Sequence, residues 1–133
     1  MNSKNSTNIN ETEKQVDITP TKSVLIPLGN GKKLEIITGE YVHDFNNFTE
    51  GYADWKNTIW QVIIDTQLLK VDQITGSASI GTISGFSHDN GFSIDDIRTN
   101  WLGDQNKIQL ALNLAAKEVL IRRINFQIFA YGE

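Results

Sequence analysis

The sequence predicts an all-β chain, an antiparallel β-sandwich of about six to eight strands. Three observations carry that expectation. Short runs rich in Val, Ile, Thr and aromatics recur along the chain. Turn signals such as Asn30-Gly31 and Asn90-Gly91 separate them. In the last run, Ile124, Phe126, Ile128 and Ala130 alternate with Asn125, Gln127 and Tyr131, the period-two pattern of a strand with one face in a core.

The elements follow in order. Residues 1–22 are rich in Asn, Ser, Thr, Lys and Glu, with Ile9, Val16 and Ile18 scattered among them. Such a stretch buries too little apolar surface to offset its ordering entropy, so it reads as a disordered tail, leaving 23–133 as a single domain. "SVLIPLG" and "KKLEIITGEYV" flank Asn30-Gly31 as a hairpin, the second alternating through Leu34, Ile36 and Thr38 until Gly39 interrupts it as a bulge. "HDFNNFTEGYADWKN" is a polar, aromatic-rich loop too long for a bare connection. In "TIWQVIIDTQLL" both alternate sets are mostly apolar, which suggests a strand buried on both faces, in the core or at a subunit contact. "ASIGTISGF" alternates through Ile80, Thr82 and Ser84 against Ile83. "FSIDDIRTNWL" follows the "SHDNG" turn, and "GDQNK" turns into the next element.

That element, "KIQLALNLAAKEVLIRR" at 107–123, has two readings. As a helix it has good propensity, with Gln109, Asn113 and Lys117 on one polar face. As strands, Ile108, Leu110, Leu112 and Leu114 point inward, and "AAKE" is a hairpin turn into the final strand. Every other element reads as a strand, so two strands are expected. Arg122 and Arg123 are then adjacent on one strand and point to opposite faces.

Composition narrows the function. Hydrophobic residues make up 39% and charged residues 21%, ordinary for a soluble globular chain. A net charge of −4 argues against nucleic acid or an anionic membrane as the main partner. With no cysteine there is no disulfide, thiolate metal site or Cys nucleophile. The N-terminus lacks an apolar signal-peptide core, and no run is long enough to span a bilayer. A cytoplasmic protein, or one exported without a standard signal peptide, is expected.

Two His-Asp pairs, His43-Asp44 and His88-Asp89, invite a metal or acid–base reading. A metal site needs three or four converging ligands, and Asp and Asn before Gly are ordinary turn residues. No nucleophile-elbow or phosphate-binding glycine pattern is present, so neither an enzyme nor a cofactor is expected. The aromatics say more. Phe45, Phe48, Tyr52 and Trp55 are interleaved with Asp44, Asn46, Asn47, Glu50 and Asp54, and Trp101 follows Arg98 and Asn100. Sugar rings offer apolar C–H faces that stack on aromatics and hydroxyls that pair with Asp, Asn and Arg. The candidate ligand-binding residues are therefore Asp44, Asn46, Asp54, Trp55, Arg98, Asn100 and Trp101. The alternative is that both tryptophans cap the ends of the core.

Residues 78–132 resemble the second half of the H-type lectin domain. Ile97-Arg98-Thr99 stands in its Arg-bearing strand and residues 124–130 in its last strand. "LEIITGEYVHDF" is similar to its opening strand, with Gly39 at the glycine position. The resemblance implies a six-stranded antiparallel sandwich that forms trimers or hexamers and binds N-acetylgalactosamine-type sugars at subunit boundaries. Arg98 would then be the sugar-contacting arginine and 44–55 the acidic first loop. The family's Trp at the end of the penultimate strand is replaced here by Leu114-Ala115-Ala116, so Trp101 or Trp55 would have to supply the stacking ring.

The leading expectation is a non-enzymatic, lectin-like homo-oligomer that binds glycan. The second is an assembly component, such as a phage or injection-system appendage, suggested by the two-sided apolar strand and the polar tail. The third is a small β-barrel enzyme or carrier with His43 or His88 in a cavity.

Overall fold

The fold class is as the sequence predicts. The computed structural model describes residues 13–15, 21–42, 54–85 and 91–133. Their strands are β1 Glu13–Gln15, β2 Lys22–Gly29, β3 Lys32–Val42, β4 Lys56–Asp65, β5 Val71–Gly85, β6 Gly91–Leu102, β7 Lys107–Lys117 and β8 Val119–Gly132. Sheet 1 has the order β1-β4-β7-β6 and sheet 2 the order β2-β3-β8-β5. Seven strands pair antiparallel; β1 runs parallel along Ile59–Gln61 at the edge of β4.

Two tight hairpins stay within a sheet. Gly29, Asn30 and Gly31, all at positive φ, turn β2 into β3, and Asn106 at φ 56° closes the turn from β6 to β7. These are conformations that Gly and Asn adopt at low cost. The other connections cross between the sheets, which makes the chain a sandwich rather than a meander. The stretch 107–123 is strand on both sides of Glu118, but its turn is no hairpin: β7 lies in sheet 1 and β8 in sheet 2. Glu118 at φ 50° is the corner that carries the chain across. A local pattern shows that both segments are pleated; it does not show which strand each will pair with.

The inner faces interdigitate. Thr58, Trp60, Val62 and Ile64 of β4 lie beside Leu114, Leu112, Leu110 and Ile108 of β7, all buried. Against them sheet 2 sets Ile37 and Tyr41 of β3 and the expected core face of β8, Ile124, Phe126, Ile128 and Ala130. Trp60 bridges the layers, its ring centroid 5.8 Å from Tyr41 and 6.2 Å from Phe126. Gly39 is no bulge, since β3 pairs with β8 without a break from Lys33 to Val42. Its Cα lies under the Phe126 ring, where any Cβ would stand 2.3 Å from Cζ.

The structure also sets the faces of β3, which the alternation alone left open. Glu35, Ile37 and Tyr41 point inward, while Leu34, Ile36 and Thr38 lie half-buried on the outer face. Likewise β4 is fully buried on one face only; Ile59, Gln61 and Ile63 are half-exposed. In β5, register shifts on either side of Thr82 let both Ile80 and Ile83 pack against the core, which strict alternation would forbid.

The inward Glu35 is fully buried and tied to the 66–70 crossover. Thr66 Oγ1 donates to its Oε1 at 2.5 Å, the Gln67 amide to the same oxygen at 3.0 Å, and Ser23 Oγ to Oε2 at 2.9 Å. The backbone of Glu133 holds the far side of that crossover through bonds with Leu69 and Lys70.

Beside it Lys32 Nζ donates to Asp72 Oδ2 at 2.8 Å and to Glu133 Oε2 at 2.9 Å. The Lys32 hydrogen bond holds both carboxyls below the usual carboxylate range, and the bonds to Asp72 and Glu133 raise the Lys32 ammonium. The depressed carboxyls contribute stability above their ordinary pKa, lost as pH falls through the folded values. The raised lysine contributes below 10.5, its ordinary value, and that contribution is lost as pH rises through the folded one. Lys32→Met is therefore expected to lower the melting temperature slightly in low salt near pH 7. That difference should close in strong acid and in about 1 M salt, where exposed charges are screened. Thermal melts of both proteins across pH and salt check this.

Candidate functional site

Among the described residues, the outer faces of the two sheets are open to a ligand, and they differ in character. On sheet 1, Arg98 and Asn100 project outward in line with Ala111 and Gln109 of β7. Arg98 Nη2 donates to Asn113 Oδ1 at 3.3 Å, and its Nε lies 3.6 Å from Asp96 Oδ2. Gln109 Nε2 donates to Gln61 Oε1. Ala111, at the centre of this face, is only 3% exposed under its longer neighbours. These polar groups engage one another, so the face is flat and largely self-satisfied. Its groove, about 170 Å³, lies at the Ile94–Asp96 bulge between Asn57, Asp95 and Asn113, where Ser93 Oγ donates to Asp95 at 2.6 Å.

The residues singled out from sequence do not gather there. Trp101 lies on the other side of β6 from Arg98 and Asn100, packed against the core, its Nε1 buried without a partner among the described residues. Asp54 and Trp55 are exposed at the opposite end of the sheet, with Trp55 over Gly91, where a Cβ would lie 2.8 Å from Cη2. At the strand rise of about 3.4 Å per residue, Trp55 and Trp101 stand about 30 Å apart. Asp44 and Asn46, with His43, His88 and Asp89, lie outside the described residues. Among the described residues no group of three His, Asp or Glu could hold a metal ion.

Sheet 2 presents a different surface. Down the outer side of its central strand β8 the side chains run Tyr131, Phe129, Gln127, Asn125 and Arg123. Beside them β5 turns out Gln73, Thr75, Ser77 and Ser79, and β3 turns out Leu34, Ile36, Thr38 and Glu40. A trough of about 420 Å³ crosses the middle of this face, lined by Thr38, Ser77, Ser79, Asn125 and Gln127. Short hydroxyl side chains on the flanking strands make it a depression, and two amides on β8 offer donors and acceptors along its floor. Phe129 stands next to it, paired between Ile36 and Thr75 and 43% exposed. Arg123 stands at the other end, Nη1 3.6 Å from Glu40 Oε2. Gly81 lets both side chains lean across β5: a Cβ there would lie 2.6 Å from Asn125 Nδ2 and 3.0 Å from Arg123 Cδ.

No protein-family model, curated protein or solved structure matches this chain. The functional reading therefore rests on this chemistry. Half of the trough was legible in the sequence, because alternation over 124–131 already turned Asn125, Gln127 and Tyr131 outward. The other half was not: Ser77 and Thr38 come to lie beside Gln127 only through long-range pairing with β5 and β3.

Proposed function

We propose that the protein is a non-enzymatic carbohydrate-binding module whose ligand lies on the outer face of sheet 2. The observation that carries this reading is an open trough of hydroxyl and amide side chains beside an exposed phenyl ring. A sugar needs both: a C–H face to stack and hydroxyls to pair. Here Phe129 supplies the first, and Asn125, Gln127, Ser77 and Ser79 supply the second. The resemblance to H-type lectins makes N-acetylgalactosamine-type glycans the first probe.

The test is a glycan array followed by calorimetry with the best ligand. Gln127→Ala is expected to weaken binding about fivefold, the loss of roughly 1 kcal/mol from one hydrogen bond. Arg98→Ala, on the opposite face, is expected to leave affinity unchanged. A clean array at high protein concentration, or a loss confined to Arg98→Ala, would remove this reading.

A second reading has its own observation. Val24, Ile26, Leu34, Ile36, Phe129 and Tyr131 form two adjacent cross-strand rows of apolar and aromatic side chains on the same face. With Val24 59% exposed, this half of the face suits self-association, as an oligomer or an assembly component. Light scattering after size exclusion should then give a multiple of 14.9 kDa that Val24→Lys reduces. A monomer at every concentration would set this reading aside.

A further inference from the structure

We infer that the outward row of β8, with the trough at its middle, takes an internal stretch of a linear glycan several rings long, rather than one terminal sugar. This rests on the carbohydrate reading and names its ligand more closely. Phe129 and Arg123 lie on the same side of β8, six residues apart, with Gln127 and Asn125 between them. At about 3.4 Å per residue they are about 20 Å apart, well beyond the width of a single sugar ring. The groups between form a graded series along one strand: an aromatic ring, two amides, then a guanidinium. Hydroxyls of Thr75, Ser77 and Ser79 run parallel on β5.

The trough itself occupies the two rungs of Gln127 and Asn125, where Thr38, Ser77 and Ser79 are all short, so it is shallow. The outward row of β8 continues beyond it to Phe129 at one end and Arg123 at the other. A site for a terminal sugar encloses it, whereas a shallow run of repeated donors and acceptors contacts successive units of a chain. The Gly81 bulge leaves room for the Arg123 stem over β5, and its Nη1 lies 3.6 Å from Oε2 of Glu40, which pairs with Asn125 at the end of the trough. A single ring stacked on Phe129 and bonded to Gln127 would not reach it.

Calorimetry with linear N-acetylhexosamine oligosaccharides of one to six units tests this on the full chain. Affinity is expected to rise at least about tenfold from the monosaccharide to the longer oligomers. Arg123→Ala is expected to remove much of that rise while leaving monosaccharide affinity unchanged; Arg123→Lys should retain part of it. Circular dichroism and melting of both variants confirm that each is folded. Equal affinity for one unit and six, or an Arg123→Ala loss already present for the monosaccharide, would overturn the inference and leave the carbohydrate reading standing. No binding to any glycan would remove the carbohydrate reading itself.

Discussion

Replacing Trp60 with alanine is expected to lower the unfolding free energy by about 3–5 kcal/mol, the cost of truncating a large buried aromatic. Against the roughly 5–15 kcal/mol of an ordinary domain, that leaves the protein close to its stability limit. The reason is placement as much as area. Trp60 is 1% exposed at the middle of β4, and its ring meets Tyr41 and Phe126 of the opposite sheet. Phe126 in turn fits only because Gly39 lies beneath it. Four strands thus meet at one cluster: β4, its neighbour β7 through Leu112, and β3 and β8 across the core. Trp60→Phe should cost much less. It keeps an aromatic ring in the cavity and deletes an indole N–H that has no partner among the described residues. Urea unfolding of the three proteins checks the order; a Trp60→Ala loss below about 1 kcal/mol would show that the layers do not depend on this bridge.

The second large effect is expected at Glu35. Glu35→Leu removes the acceptor for Thr66, Ser23 and the Gln67 amide; the buried Thr66 hydroxyl left unsatisfied costs about 1–3 kcal/mol, and the part-buried Ser23 and Gln67 donors less because water can reach them. Glu35→Gln retains one acceptor oxygen, and its amide can donate to Ser23, so it should cost less than half as much. The effect should also be local at first. Hydrogen exchange over 66–70 is expected to speed up in Glu35→Leu well before the β7 and β8 amides do, because the carboxylate holds the crossover rather than the core. Uniform protection in both variants would mean that the backbone bonds of Glu133 hold the crossover without it.

The two residues also mark how far the sequence could be read. Where a strand pairs locally or alternates cleanly, its face was legible: Ile124, Phe126, Ile128 and Ala130 point inward as their spacing demands. Where two apolar sets compete, the pattern leaves the face open. In β3, "LEIITGEY" offers Leu34 and Ile36 on one parity and Glu35, Ile37 and Tyr41 on the other, and hydrophobicity does not choose between them; the set with the glutamate is the one buried. The buried carboxylate is acceptable only because three donors from distant segments reach it. In β5, small residues and register shifts blur the period, so Val71–Gly85 is much longer than its apolar core suggests. The candidate site follows the same rule. Arg98, Asn100 and Trp101 are neighbours in sequence, yet the pleat sends Trp101 to the other face, while Ser77, Asn125 and Thr38 are far apart in sequence and adjacent in the sheet.

Amide chemical shifts followed while a binding glycan is titrated in show whether ligand meets the outer face of sheet 2. Shifts concentrated at Thr38, Ser77, Ser79, Asn125, Gln127 and Phe129, with Arg98, Asn100 and Asn113 unmoved, are expected. Shifts centred on Arg98 and Asn113, with the β8 amides silent, would move the ligand to sheet 1 and overturn the sheet 2 site.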